Sequence, residues 1–347
     1  MNKKYATLKD VAKLAGTTAA TVSYVLNDSK DRYITDQMRR RVLSAAAKLN
    51  YVKSSVASGL KGKPRKIIAV LVPQFYNQFF TRMIMEIERV ADEFDYILSI
   101  CDTLDDPKRE QIILERMAQH RVDGYIISAS PGGAANTARL RSMGVPIVAL
   151  DRPLEGEKAD YIWVTTSNYA CGYKATAYLT SKGHQRIGFL GWDVGIKDLL
   201  QREQGFWDAL KDKKLSKQNG VLLRGAFTES AGYAMTKELL ENHRDITAIF
   251  YAYNIQALGG IQYLTESGLE PGRDISIILI GSPEWAVSGR NNFTHIVQHE
   301  REMAHQAARI LFNIINGQDD GHARTVSQEC SLFEGNSVKD ITQLSPT

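Results

Sequence analysis

Two sets of residues in this 347-residue chain are of types that bind charged or polar partners. The first is ionic. Residues 1–66 hold fifteen Lys or Arg against four acids (Asp10, Asp28, Asp31, Asp36), a net +11, which leaves −7 for the remainder of a chain whose total is +4. A small basic segment joined to a mildly acidic body suits a polyanion binder attached to something that stays off the polyanion. The second set mixes aromatic rings with fixed charges in short stretches: Gln74-Phe75-Tyr76-Asn77-Gln78-Phe79-Phe80, Ser128-Ala129-Ser130, Asp151-Arg152, Gly191-Trp192, Arg202, Tyr253-Asn254 and Ser282-Pro283-Glu284-Trp285. Flat faces for C–H groups and charged partners for hydroxyls are what a polyhydroxylated ring requires. Blander readings stand beside these: Asp151 as a strand-end cap, Arg202 as a surface helix residue, Phe79 and Phe80 as packing residues.

Catalytic chemistry has little support. The chain has no phosphate loop, dinucleotide glycine pattern, zinc-ligand spacing or nucleophile elbow, and Gly132-Gly133 lacks the rest of any fingerprint. Cys101, Cys171 and Cys330 are far apart and odd in number, and read as small buried hydrophobes. No catalytic residue, metal or cofactor is expected. No stretch approaches the roughly 18 apolar residues of a membrane span, and Met1-Asn2-Lys3-Lys4 leads into polar sequence, so a cytoplasmic protein with no membrane partner is expected.

The basic segment has the pattern of packed helices rather than of a solvated tail. Thr7-Leu8-Lys9-Asp10 has the spacing of a capping box, and Leu8, Val11, Ala12, Leu14 and Ala15 recur with helical period, which predicts a helix over 8–15. Gly16 tolerates positive φ at its end, and Thr18 caps a second helix through Asn27. So tight a turn makes a helix-turn-helix, with Ala12 at the crossing and Val22 as the apolar lock. Thr35 opens a third helix with Met38, Val42, Ala45, Ala46 and Leu49 inside and Arg39, Arg40 and Arg41 outside as phosphate candidates. Residues 52–61 are too short and too polar for an independent helix and should order only against a partner.

From Pro64 onward the pattern alternates strand and helix. Apolar runs at 67–72, 96–100, 124–127 and 146–150 are separated by amphipathic segments at 80–94 and 107–120, and the order repeats at 187–190, 220–223, 248–251 and 275–280. That is the signature of buried parallel sheets covered by helices. The aromatic and charged stretches fall in the loops at the strand ends, where ligands of open α/β lobes bind.

The run Thr7-Leu8-Lys9-Asp10-Val11-Ala12-Lys13-Leu14-Ala15-Gly16, then Ala20-Thr21-Val22-Ser23 and Val25-Leu26-Asn27, resembles the head of the LacI/GalR family almost residue for residue. The likeness continues through residues 39–51, Arg121-Val122-Asp123-Gly124, Gly183-His184-Gln185-Arg186-Ile187 and 303–315, and so covers nearly the whole chain. The resemblance implies an all-α helix-turn-helix domain (1–51), a hinge (52–63) and an α/β periplasmic-binding-protein-like core. That core has two doubly wound parallel-sheet lobes, one of residues 64–163 and 298–324 and the other of 164–297 and 325–347. In such a head the second helix enters the DNA major groove, with Ala19, Ala20 and Tyr24 toward base edges. The DNA-contacting set carried over is Thr7, Thr18, Ala19, Ala20, Thr21, Ser23, Tyr24, Asn27, Tyr51, Ser54, Ala57 and Leu60, with Leu60 wedged into the minor groove. Two alanines cannot form bidentate hydrogen bonds but can touch thymine methyls, which implies an operator unlike those of the most familiar members. Lys53 stands where proline is frequent and Gly59 where a longer residue is usual, which implies a weaker hinge helix.

For the body the resemblance implies an effector site of Phe75, Asn77, Ser128, Asp151, Trp192, Arg202, Tyr253, Glu284 and Trp285, and a structural role for His184. Tyr253-Asn254 and Pro283-Glu284 depart from the acids of many sugar-responsive relatives and make the site more aromatic. The expected protein is a homodimeric transcriptional regulator, read as a repressor. Its partners are a palindromic double-stranded operator and a small effector. A sugar or sugar derivative comes first, a nucleobase or nucleoside next, and a ligand-binding protein without DNA activity is the other alternative.

Overall fold

The basic segment folds as three helices, each started by a threonine. Thr7 caps α1 (Leu8–Ala15) by accepting from the Asp10 amide while the Asp10 carboxylate accepts from the Thr7 amide at 2.9 Å. Thr18 caps α2 (Ala19–Leu26) through the Thr21 amide, and Thr35 caps α3 (Asp36–Lys48) through the Met38 amide. These caps satisfy amides that the first helical turn leaves unpaired. Gly16 closes α1 in the left-handed region at φ +63°, where a side chain would be strained. The position is also crowded: a Cβ there would lie 2.6 Å from Arg41 Nη2, which donates to the Ala15 carbonyl at 2.6 Å. Val11, Ala12, Ala15, Val22, Val25, Val42, Ala45 and Ala46 form the core between the helices.

This computed structural model describes residues 5–28, 32–52, 64–133, 135–154, 161–287, 292–319 and 321–342. The chain divides into a unit of residues 1–65 and another of 66–347. Ser54, Ala57 and Leu60 of the expected hinge lie outside the described residues.

In the larger unit, β1 (Ile67–Val72), β2 (Ile97–Asp102), β3 (Gly124–Ile127), β4 (Ile147–Leu150), β5 (Ile162–Thr166) and β11 (Arg324–Gln328) make an all-parallel sheet in the order β11-β5-β4-β3-β1-β2. The second sheet takes β6 (Ile187–Trp192), β7 (Gly220–Gly225), β8 (Ala248–Tyr251), β9 (Ser276–Ile280), β10 (His295–Val297) and β12 (Ser331–Phe333), in the order β12-β10-β9-β8-β6-β7, with β12 alone antiparallel. Helices α4 (Gln78–Glu93), α5 (Pro107–Gln119), α6 (Ala138–Ser142) and α11 (Glu300–Ile315) belong to the first lobe, and α7 (Asn168–Ser181), α8 (Lys197–Asp212), α9 (Glu229–Asn242) and α10 (Asn254–Glu266) to the second.

Unbroken apolar strands are explained by burial on both faces. On β1, Ile68, Val70 and Val72 join the core under α4 and α11, while Ala69 and Leu71 face the opposite core with Leu114 of α5 and Leu140 of α6. On β8, Ala248 and Phe250 face one core of the second lobe and Ile249 and Tyr251 the other.

The chain passes between lobes after β5, after β10 and after β11. The first and last passages follow residues 166 and 328, a few positions beyond the expected 163 and 324, because β5 and β11 pair with each other and stay whole in the first sheet. Among the described residues no helix is long and apolar enough to cross a membrane.

Candidate functional site

A narrow cleft lies between the strand ends of the two lobes. Five of the nine expected effector residues line it: Asn77, Asp151, Trp192, Arg202 and Tyr253. Phe79, Phe80, Arg152, Leu199, Phe227, Asn254, Ile280 and Gln298 complete the lining.

Glycine places the principal cation of the site. Helices α7 and α8 touch backbone to backbone, since a Cβ on Gly172 would fall 1.9 Å from the Arg202 carbonyl and one on Gly205 2.2 Å from that of Tyr169. This approach seats Arg202 on the buried face of α8, where Nε donates to Asn168 Oδ1 at 2.7 Å and Nη1 to the Ala252 carbonyl at 2.6 Å. Its guanidinium lies 4.6 Å from the Tyr253 ring centroid. Arg152 is likewise committed. It pairs with Asp105 and sits 5.0 Å from the Trp192 ring, a contact from one lobe to the other.

Trp192, Phe227 and Tyr253 stand mutually tilted or edge to face, with centroids 5.0, 5.3 and 6.0 Å apart, as ring quadrupoles favour. Opposite them, Asp151 holds a left-handed backbone at φ +65°. That conformation is fixed from β5: the Asp151 amide donates to the Val164 carbonyl, and its own carbonyl accepts from Trp163 Nε1 and Thr165 Oγ1. Left-handed non-glycine residues so held are concentrated at functional sites. The Asp151 carboxylate accepts no hydrogen bond from the described residues. Burial pushes its pKa up, and the Arg152 and Arg202 charges only partly offset this. Gln298 Nε2 is buried without a hydrogen-bond partner among the described residues.

Asp198, in the first turn of α8, receives a hydrogen bond from Asn168 Nδ2 at 2.5 Å. Burial first, and the nearby Asp151 charge second, raise its pKa to about 6, against the lowering effects of Asn168 and Arg202. Because the folded value lies above the ordinary 3.8, this group favours folding below about pH 4, and that contribution is lost as pH rises through about 6. Asp198→Asn, which can still accept from Asn168, should remove that decline. Relative to wild type, its urea midpoint should therefore be higher at pH 7.5 than at pH 5. An identical difference between the two proteins at both pH values would show that Asp198 titrates normally.

The other four expected effector residues do not line the cleft. Phe75 is 41% exposed, and its amide donates to Asp102. Ser128 is buried at the end of β3. The Glu284 side chain is 77% exposed, and Trp285 packs against Phe293 at 5.9 Å. Phe79 and Phe80, read as packing residues, both pack and line the cleft. Phe227 was missed, although an aromatic residue between a strand end and the Thr228 helix cap is the signal by which the others were found. Gln298 gave no signal beyond its place at a passage between lobes. His184 hydrogen-bonds Thr247 and the Lys339 carbonyl, away from the cleft lining.

In the smaller unit, several expected DNA-contacting side chains also serve local structure. Thr7 and Thr18 are caps, Thr21 Oγ1 meets Thr18 Oγ1 at 3.0 Å, and Asn27 Nδ2 donates to the Ser23 carbonyl at 2.6 Å. Ala20 is exposed, Ala19 and Tyr24 are half-buried, and the Tyr24 ring has Arg32 at 5.5 Å; Tyr51 is half-buried against the helical core.

Residues 7–54 match the family described as bacterial regulatory proteins, lacI family, and residues 68–319 match the periplasmic binding protein domain. The HTH-type transcriptional repressor PurR of Haemophilus influenzae (strain PittEE) is 33% identical over 317 residues, 91% of this chain and 93% of that protein. The repressor of the same name from Mannheimia succiniciproducens is 32% identical over 337 residues, 97% of this chain and 99% of that protein. Among solved structures, a LacI-family regulator from Silicibacter pomeroyi superposes with a TM-score of 0.79 at 25% identity, covering 96% of this chain and 99% of its own. A LacI-family regulator from Enterococcus faecium with bound ribose gives 0.71 at 25%, covering 79% and 99%. The lac repressor dimer bound to operator and an anti-inducer shares the fold, with a TM-score of 0.80 at 24% identity over 97% of this chain and 100% of its own.

Proposed function

Because the chain belongs to the LacI family of bacterial transcriptional regulators, we propose that its cleft takes a flat heterocycle of the nucleobase class, whose binding between the lobes controls operator affinity. The protein is a DNA-binding transcriptional repressor with a ligand-binding domain, and not an enzyme. The ligand class is the finer question. A sugar came first from the sequence; the cleft geometry supports a base instead.

This reading rests on the Asp151 carboxylate, buried and accepting no hydrogen bond from the described residues, across from the Trp192, Phe227 and Tyr253 rings. A polyol presents hydroxyls around its whole rim and requires many free donors, yet both arginines are already engaged with protein groups. A base presents two π faces and one edge of alternating donors and acceptors. Asp151 is an acceptor for a ring N–H, and Gln298 Nε2 is a donor for a ring carbonyl or nitrogen. The relatives named PurR are in keeping with this reading.

A thermal-shift panel of adenine, guanine, hypoxanthine and uracil against glucose, ribose and cellobiose tests it. At 100 times its dissociation constant a ligand stabilises the folded state by about 2.7 kcal/mol, an effect of several degrees. One or more bases should raise the transition and the sugars should not; a response to sugars alone would overturn the base reading and leave the regulator standing.

For DNA, we propose that α2 presents Ala20 and Tyr24, with Ala19 beside them, to base edges in the major groove, and that a two-fold pair of heads reads an inverted repeat.

A further inference from the structure

Outside the cleft lining, two side chains of α4 reach from the first lobe to the second. Gln78 and Arg82 are four residues apart and so share one helix face. Gln78 Oε1 accepts from the Glu284 amide at 2.8 Å, and Arg82 Nη1 donates to the Ser282 carbonyl at 2.7 Å. Ser282 and Glu284 follow β9 in the second lobe, so separating the lobes breaks both bonds. The guanidinium is held ready by Glu300, whose carboxylate lies 2.9 Å from the same Nη1 and whose side chain is only 9% exposed. Glu284 contributes little through its own carboxylate, which is exposed and 4.0 Å from Arg82; its backbone amide makes the stronger contact.

We infer that Gln78 and Arg82 are positioning residues that latch the two lobes closed and thereby set how much of the ligand-free protein is competent to bind. The same first turns of α4 bring Phe79 and Phe80 to the cleft, so the latch and the ligand act on one rigid element. If only a fraction of molecules is closed, apparent ligand affinity falls in proportion to that fraction. Weakening the latch therefore lowers affinity for whatever ligand fits, without touching the ligand. This inference does not depend on the ligand being a base.

The test uses the full ligand-free chain and two variants. Gln78→Ala removes one acceptor, and Arg82→Lys keeps a cation beside Glu300 while removing the planar group that spans Glu300 and Ser282. Hydroxyl-radical footprinting reads the reactivity of the cleft-wall rings Trp192, Phe227 and Tyr253, with the core rings Phe206 and Phe250 as controls. Both variants should show a several-fold rise at the cleft rings and native rates at the controls. Native rates at the cleft rings in both variants would overturn the latch and leave these bonds as local packing. Should Arg82→Lys also expose the control rings, Gln78→Ala decides by the same criterion.

Discussion

Arg202→Ala should cost the body about 3–5 kcal/mol of stability and abolish its ligand response together, whereas Asp151→Asn should weaken ligand binding by about 1.5–3 kcal/mol with no loss of stability at neutral pH. Both residues were read from the sequence as ligand contacts, but their surroundings separate them. Arg202 is 4% exposed, its Nε and Nη1 both donate to protein groups, and its charge offsets the buried Asp151 and Asp198 carboxylates. Removing it orphans Asn168 Oδ1 and the Ala252 carbonyl and leaves two buried acids without that compensation. Asp151 differs in that no protein donor loses a partner when its charge goes. Burial has raised its pKa, so its contribution to stability is present below the ordinary carboxylate range and lost as pH rises through the folded value. A neutral asparagine avoids that loss at neutral pH and tolerates the left-handed backbone that Asp151 adopts. Urea unfolding of both variants, followed by calorimetric titration with the bases of the thermal-shift panel, makes the comparison. If Arg202→Ala unfolds at the wild-type midpoint, Arg202 is a ligand contact first and a wall support second.

How far the site was legible follows from what each signal measures. Unbroken apolar runs mark strands buried on both faces, so β1, β3, β4, β6, β8 and β9 were visible, and with them the strand ends that hold Asp151, Trp192 and Tyr253. Strand β11 reads Arg-Thr-Val-Ser-Gln and alternates between half-buried and exposed at the sheet edge, so no apolar run announced it. The lobe boundaries came instead from the family resemblance, and two of them stop a few residues short of the ends of β5 and β11. Helix caps in the head were legible because Thr7, Thr18 and Thr35 act locally. The inter-lobe bonds of Gln78 and Arg82 span 200 residues of sequence or more and leave no local pattern. Glu284 illustrates the cost of position alone: its place after β9 suggested a ligand contact, but its side chain points to solvent and its amide holds the other lobe.

Operator binding should weaken by about a thousandfold or more between about 50 and 200 mM salt, with a log–log slope of roughly −5 to −9, if a pair of heads neutralises about 6 to 10 phosphates. The +11 of residues 1–66 against −7 in the remainder sets this expectation, but not every cation there is available. Of three consecutive arginines on α3, Arg39 pairs with Asp28 at 2.7 Å and Arg41 donates to the Ala15 carbonyl at 2.6 Å. Arg40 is exposed and makes no hydrogen bond or ion pair with the described residues. The three should therefore behave differently although the sequence presents them as equivalents. Arg41→Ala removes a bond that ties α3 to the end of α1, and so should lower the stability of the head. Arg40→Ala should leave stability within about 0.5 kcal/mol and weaken specific and random DNA alike. It should also reduce the salt slope by about 1 for each phosphate no longer neutralised, about 2 for a pair of heads. Fluorescence titrations of operator and random duplexes across that salt range measure all of these. A flat dependence would remove the head as the DNA-binding unit, and an unchanged slope in Arg40→Ala would place the phosphates elsewhere on it.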